Sequence, residues 1–573
     1  MKSIQTSIVR KIAYATLLGS GALVSQAFAW SPASSQIAPT TISPGGARDC
    51  LAAIPLPPDD PSLDQDFGCY HFATYNWNDG SGAGTVTGRV YWPSICGDGT
   101  TDPPMGTKLP TILLMHGDGH HYTDYNYLLG HLARNGFIVA SITSSGTNLD
   151  RSAQGLTFLN FMTNSWSRRE WVDTDRMGLI GHSRGGEAAL TLARRIREIG
   201  LPYDIDSIIS LAPTDNVEGG GIHESLNGDD SRSYLAIYGT HDEDVTGYCL
   251  NGNLPQCGFI PISAARSGFS LYDRAGSEGE TEPFPLSSEV VDKAMVYIKG
   301  ATHNGWRSTC AGFPPPGVLS CMVHQEMAKG YMNAFFRWQL RGQDIYRYFF
   351  SGEMKLPIVN SNGVKVQKTF QKGNGRRVVD NFEQAGWGTN TLGGTVTKES
   401  TVTVLKDGST WDYEITSPHD TDSLIVSWSP PGLAPWMRFG IPDGSTGGFQ
   451  PRRYRDITDY DFLSLRAGQI YGSPLNTVGT NKDFYVLLRD PFGGQTPWIL
   501  VSDYSKLPYP TVANVVKFGQ FLTVTSSPMN TVRIPTCRFN GVDKENISSV
   551  WFRFSVPGHS QGEIMIDNIE FTD

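Results

Sequence analysis

At 573 residues the chain is too long for one hydrophobic core, and an ordinary globular composition with 18% charged residues excludes a disordered polymer. The formal net charge is −10 without any basic run, which argues against nucleic acid or an anionic membrane surface as partner. Eight cysteines suit an oxidising compartment.

The chain opens with Lys2, Arg10 and Lys11, an apolar stretch from Ile12 to Val24, and Ala27-Phe28-Ala29 ahead of Trp30. This is the pattern of a cleavable secretory signal over 1–29, so a secreted or periplasmic protein is expected, with no transmembrane segment after processing. Residues 30–65 are rich in Pro, Ser and Ala and read as an irregular N-terminal arm.

Residues 66–350 read as the catalytic domain. Thr85 to Trp92 alternates like an edge strand, and a Gly/Pro/Asp loop fills 93–109. Apolar runs follow at Thr111 to Met115, Phe137 to Ile142, Met177 to Ile180, Ile205 to Leu211, Tyr234 to Tyr238 and Met295 to Ile298. Helical periodicity separates most of them, over 125–135, 151–166 and 185–199. A last helix over 322–340 carries Met327, Tyr331, Phe335 and Trp338 on one face, as core packing requires. Strands buried on both sides and alternating with helices predict an α/β fold with a mainly parallel sheet.

Residues 351–376 are polar and aperiodic and read as a linker. Over 377–573 the pattern changes to short alternating runs, at Leu424 to Trp428, Phe462 to Leu465, Phe484 to Leu488, Phe521 to Val524, Val550 to Phe554 and Glu563 to Phe571. Turn residues divide them, which predicts an all-β jelly-roll sandwich as an accessory domain. Cys249 and Cys257 are close enough to staple one loop, and Cys310 and Cys321 another; the pairing of Cys50, Cys69, Cys96 and Cys537 stays open.

The chemistry centres on Gly181-His182-Ser183-Arg184-Gly185, preceded by an apolar strand and followed by an amphipathic helix. A strand-to-helix turn of this form cramps the serine backbone and exposes its hydroxyl, with the N–H of Arg184 aimed where an oxyanion would form. The hydroxyl needs a base, and the base needs an orienting acid; both come from loops after later strands, in the order serine, acid, histidine. His303 follows the run ending at Ile298 and is the expected base. Asp242 follows the run ending at Tyr238 and is the preferred acid, with Asp244 and then Asp215 as alternatives.

His116-Gly117 ends an early strand and marks the other half of an oxyanion hole, with the backbone N–H of Asp118 or alternatively Gly119. His116, His120 and His121 with Asp118 invite a metal, but nothing of the form H-E-x-x-H is present, so a substrate-side or hydrogen-bonding role is expected there instead of a metal. His116, His182, Tyr122 and Trp306 are read as substrate-binding, with Tyr125 and Tyr127 at a pocket edge suited to apolar or aromatic acyl groups. Residues 246–290 are read as an added loop or partial lid.

Gly181 to Gly186, with His116-Gly117 upstream and Asp242 and His303 downstream, resembles the α/β-hydrolase superfamily over roughly 70–345. Within it the chain resembles the branch of chlorophyllases, cutinase-like polyester hydrolases and platelet-activating-factor acetylhydrolases. That resemblance implies carboxylic ester hydrolysis through an acyl-enzyme without a cofactor, on an ester substrate that includes polymeric, insoluble or lipid-like cases.

The closing Glu563 to Phe571 resembles galactose-binding-like or carbohydrate-binding jelly rolls. Trp387, Trp411, Trp428, Trp436 and Trp498 then read either as core or as a platform for a polysaccharide surface. A structural calcium ion in the sandwich is left open, since no calcium-loop motif marks one. The competing expectations are a carbohydrate esterase anchored by the sandwich, and an inactive binding protein; the latter requires a missing catalytic group, and none is missing.

Overall fold

The computed structural model describes residues 60–63, 68–95, 106–214, 232–245, 269, 271–273, 275, 292–309, 314–373, 375–407, 419, 421–429, 435–444, 454–517 and 520–573. The expected signal and arm over 1–59, and most of 246–290, lie outside them.

The apolar runs become strands β3 (Leu109–Met115), β4 (Ile138–Ile142), β5 (Val172–His182), β6 (Ile205–Leu211), β7 (Ser233–His241) and β8 (Lys293–Thr302). With β1 (Gly68–Trp77), β2 (Val86–Ile95) and β9 (Val366–Gln371) they form a nine-stranded sheet ordered β1-β2-β4-β3-β5-β6-β7-β8-β9. Pairing is parallel from β4 to β8 and antiparallel at both margins. The flanking helices are α1 (Asn126–Arg134), α2 (Asn148–Asn160), α3 (Arg184–Ile199) and α4 (Cys321–Gln339). Leu128, Leu129 and Leu132 of α1 and Met327, Tyr331, Phe335 and Trp338 of α4 close one core. Phe158 of α2 and Ala189, Leu192 and Ile196 of α3 close the other. A mixed sheet with helices on both faces fits an α/β hydrolase.

The strand order positions the site. β3 lies beside β5 with Met115 opposite Gly181, so the turn after Met115 meets the turn at Ser183. β7 lies beside β8 with His241 opposite Thr302, so Asp242 and His303 emerge together. In α/β sheets such convergence falls outside the carboxyl ends of the strands.

Three expectations are corrected. The run at 85–92 is not an edge strand: β1 pairs with it along its full length and takes the margin. The stretch 351–376 is not a bare linker, because β9 adds to the sheet against β8. The run Phe521 to Val524 joins neither large β-sheet; it forms a hairpin with Thr511–Lys517 alone.

Beyond β9 the strands are antiparallel. One sheet runs Val402–Asp407, Ser423–Trp428, Gly562–Thr572, Phe462–Gln469, Asn530–Pro535, and a second runs Val396–Lys398, Trp436–Gly440, Ser549–Arg553, Tyr485–Arg489, Ile499–Leu500. Val426, Trp428, Phe439, Phe484, Phe552 and Ile566 fill the space between them. This is consistent with a β sandwich, without specifying a jelly roll. Trp428 is core and stacks on Phe554 at 5.0 Å. Trp387 is partly buried against the same core. Trp436 pairs with Trp551 at 4.8 Å and Trp498 with Tyr485 at 6.3 Å, while Trp411 lies outside the described residues.

The sandwich is joined to the α/β part by polar contacts. Lys368 N–H donates to Asn530 Oδ1 (3.2 Å) and Phe370 N–H to Thr531 Oγ1 (2.8 Å). Deeper in, the buried Asp273 carboxylate meets His419 Nδ1 at 3.0 Å and Arg466 at 3.2 Å, and Arg466 also binds Asp567. Burial opposes the Asp273 charge, but His419, then Arg466 and Lys293, outweigh it and hold its carboxyl far below the usual range.

Candidate active site

Ser183 sits between β5 and α3 with φ 55° and ψ −124°, a left-handed conformation that costs a non-glycine residue about 1–3 kcal/mol. Its neighbours must be glycine. A Cβ on Gly181 would lie 2.0 Å from Gly185 O, one on Gly185 2.2 Å from Met115 O, and one on Gly186 2.7 Å from Pro213 Cβ. The strain is held by Ser183 N–H donating to Leu211 O at 2.9 Å, and by α3, which starts at Arg184. The side chain points at the turn after β3, where a Cβ on Gly117 would be 3.1 Å from Ser183 Cβ and 3.2 Å from His120 Nδ1.

His303 is buried, and its Nδ1 meets Asp242 Oδ2 at 2.9 Å. The other oxygen, Asp242 Oδ1, accepts the N–H groups of Asp244 (2.9 Å) and Val245 (2.6 Å). Asp244 lies on the opposite side, with Oδ2 3.6 Å from His303 Nε2 and its side chain largely in solvent. Burial disfavours the charged imidazole, but Asp242, helped by Asp244 and Glu243, raises His303 to about 9. The imidazole lies 4.8 Å, ring to ring, from His182, the residue before Ser183. Among the described residues Ser183 Oγ and His303 Nε2 do not form a hydrogen bond in this substrate-free state, in which such contacts are commonly loose.

The turn after β3 is fastened from beneath. His116 Nδ1 donates to Gly117 O (2.7 Å), and its Nε2 accepts from Ser144 N–H (3.1 Å). Burial lowers His116 to about 4, so it is neutral. The buried Arg151 donates to His116 O, Ser144 O and Gly146 O, and its guanidinium reaches Asp118 Oδ1 at 3.1 Å. Among the described residues neither the N–H of Asp118 nor that of Arg184 is spent on another acceptor. Gly119, with φ 66°, completes the turn that returns His120 N–H to Gly117 O at 3.2 Å.

Most of the residues expected to touch substrate are buried among protein partners. Both ring nitrogens of His116 are engaged as described, His182 is wholly buried against Tyr125 OH (2.7 Å), and Trp306 is wholly buried edge-on to His324 at 4.9 Å. Tyr122 is half-buried, its ring tilted against His121 at 4.1 Å. The described part of the 246–290 segment is not a lid: Phe269 packs between Tyr238 (5.7 Å) and Tyr297 (5.3 Å) in the core. Cys321 is disulfide-bonded, as are Cys69 and Cys537; Cys249, Cys257 and Cys310 lie outside the described residues, as does Asp215.

Sequence reading named His120 without its partner, and it missed the roles of Asn304, Glu243 and Arg151. Asn304 and Glu243 each follow a recognised residue, but adjacency alone does not reveal that their side chains meet at 3.0 Å.

A mixed sheet that brings a strained serine, a paired histidine and aspartate, and two unspent N–H groups to one rim fits an α/β-hydrolase type of site. The comparisons agree. A family model described as Chlorophyllase matches residues 100–224. The chain is also similar to a bis(hydroxyethyl) terephthalate hydrolase of Streptomyces coelicolor, 31% identical over 111 residues. That match covers 19% of this chain and spans only 33% of the relative's length. Together they support a carboxylic ester hydrolase of the α/β-hydrolase kind.

Proposed function

We propose that the chain hydrolyses carboxylic esters through an acyl-enzyme on Ser183, outside the cytoplasm. Ser183 Oγ attacks the ester carbonyl as His303 Nε2 takes its proton, and Asp242 steadies the imidazolium through Nδ1. The N–H groups of Arg184 and Asp118 receive the negative oxygen of the tetrahedral intermediate. His303 then gives the proton to the departing alcohol, and a water activated by the same imidazole releases the acid. The observation that carries this reading is the buried 2.9 Å pair of His303 and Asp242 beside a left-handed serine. The similarity to a terephthalate ester hydrolase makes aromatic diesters and their polymers the first substrates to try.

The test is turnover of short p-nitrophenyl esters and of bis(hydroxyethyl) terephthalate by the wild type and by Ser183→Ala. Loss of turnover in the variant, with stoichiometric fluorophosphonate labelling of the wild type, is expected. Retained turnover removes the reading.

A second reading, esters carried on polysaccharide, rests on Trp436, Trp551, Tyr485 and Trp498, all only half-buried on the sandwich. Co-sedimentation of the full chain with insoluble polysaccharide or with polyester film separates the two.

A further inference from the structure

Between the turn after β3 and the loop after β8 runs a chain of polar contacts that the proposed chemistry does not use. Asn304 Nδ2 donates to Glu243 Oε1 at 3.0 Å, and the N–H of His303 itself donates to Glu243 Oε2 at 3.0 Å. Asn304 Oδ1 is therefore an acceptor, and it takes the proton of His120 Nε2 at 2.9 Å. His120 Nδ1 is left to accept, with the hydroxyl of Tyr125 at 2.9 Å and His182 Nδ1 at 3.2 Å both within reach, and Tyr125 Oη and His182 Nδ1 lie 2.7 Å apart. Every donor in this series points the same way, from the residue beside Ser183 to the carboxylate beside Asp242. Burial lowers both His120 and His182, which favours the neutral rings that this ordering uses.

We propose that His120 is a positioning residue for the ester hydrolysis inferred above, on which this inference rests: it locks the oxyanion turn to the loop that carries His303. Its location supports the assignment. The ring lies against Gly117, the glycine that faces Ser183 Cβ, and reaches across to Asn304, the residue after His303. Further ties hold the same pair of segments, Arg307 to Asp124 at 2.9 Å, Ser308 N–H to Asp124 O at 2.5 Å and Tyr127 OH to Trp306 O at 2.9 Å, but these lie farther along the chain from Gly117. His120 is the tie at the reacting end, and it sets the spacing between the oxyanion N–H groups and the base.

The test compares the wild type with His120→Ala, His120→Gln, Asn304→Ala and His120→Ala/Asn304→Ala, by steady-state kinetics and by hydrogen exchange of residues 303–307. Displacing a reacting group by about 1 Å can cost about 100-fold, so His120→Ala is expected to lose about 10- to 100-fold in kcat with KM nearly unchanged. Its 303–307 amides are expected to exchange faster. Gln supplies both a donor and an acceptor at the same reach, and it restores most of kcat. The double variant is expected to lose less than the two single losses combined, since both single variants break the His120–Asn304 link. Wild-type kcat and exchange in His120→Ala overturn the proposal, as does a kcat loss with unchanged exchange that Gln does not rescue. If the wild type turns over no ester, the proposed function falls, and the exchange comparison still decides whether His120 holds the loop.

Discussion

Asp242 grips His303 from the side away from solvent, Oδ2 to Nδ1 at 2.9 Å, while two backbone N–H groups occupy its other oxygen. The carboxylate is thus fixed before the imidazole meets it, and it favours the protonated ring. Since a general base must be neutral to accept a proton, under the proposed mechanism the pair would govern when the enzyme can work.

The first prediction is therefore an alkaline profile. With His303 raised to about 9, kcat/KM is expected to keep climbing between pH 7 and 9 rather than level off near neutrality. Asp242→Asn removes the raising charge, so its rising limb moves to lower pH while its kcat falls about 10⁴-fold. The sign for stability is opposite. A raised histidine stabilises the fold below its unfolded value of about 6.5, and that contribution is lost as pH rises through the folded value. A plateau already reached at pH 7 in the wild type refutes the prediction.

Gly117 gives the second. A methyl group there would meet Ser183 Cβ at 3.1 Å and His120 Nδ1 at 3.2 Å, contacts that force a shift of a few tenths of an ångström. Gly117→Ala is expected to fold normally yet lose roughly 10-fold or more in kcat, because reacting groups tolerate such shifts poorly. Equal kcat in the variant and the wild type would show the turn to be more pliable than drawn.

Trp306 gives the third. Its indole is wholly buried against His324, so Trp306→Ala is expected to cost about 3–5 kcal/mol in stability through the cavity it leaves. KM measured on the folded fraction should not move. A raised KM at unchanged stability would instead make this side chain part of the substrate pocket.

The fourth concerns the join to the sandwich. Arg466→Met strips a buried cation from both Asp273 and Asp567, and breaking a buried pair from one side costs about 3–5 kcal/mol. Urea unfolding of the variant should show one destabilised transition that carries both parts of the chain. A lowered transition in the sandwich alone would mean that the two parts unfold independently.

Reading the residues in order recovered what repeats and what cannot be substituted. β3, β5, β6, β7 and β8 announced themselves because strands buried on both faces must be continuously apolar, and the turn at Ser183 because three glycines there admit no Cβ. β1 escaped because its pattern is polar and aromatic, with Phe72 half exposed, and β9 because a margin strand needs only part of its length buried. His116, His182 and Trp306 lie buried among protein partners, away from the substrate-binding place the sequence suggested, for one reason. A histidine or tryptophan next to a reacting group can support it from below or line it from above, and only burial distinguishes the two. His120 shows the reverse: nothing in its neighbourhood along the chain foretells a partner at Asn304.

The handover from Lys368 and Phe370 to Asn530 and Thr531 has a practical consequence. Anyone grafting the hydrolase half onto a different carrier, or trimming it to a minimal catalyst, would leave β9 with a frayed outer rim. The same cut would take His419 and Arg466 away from the Asp273 carboxylate and leave Lys293 to balance it. The C-terminal half is less a detachable tail than the second jaw of a clamp.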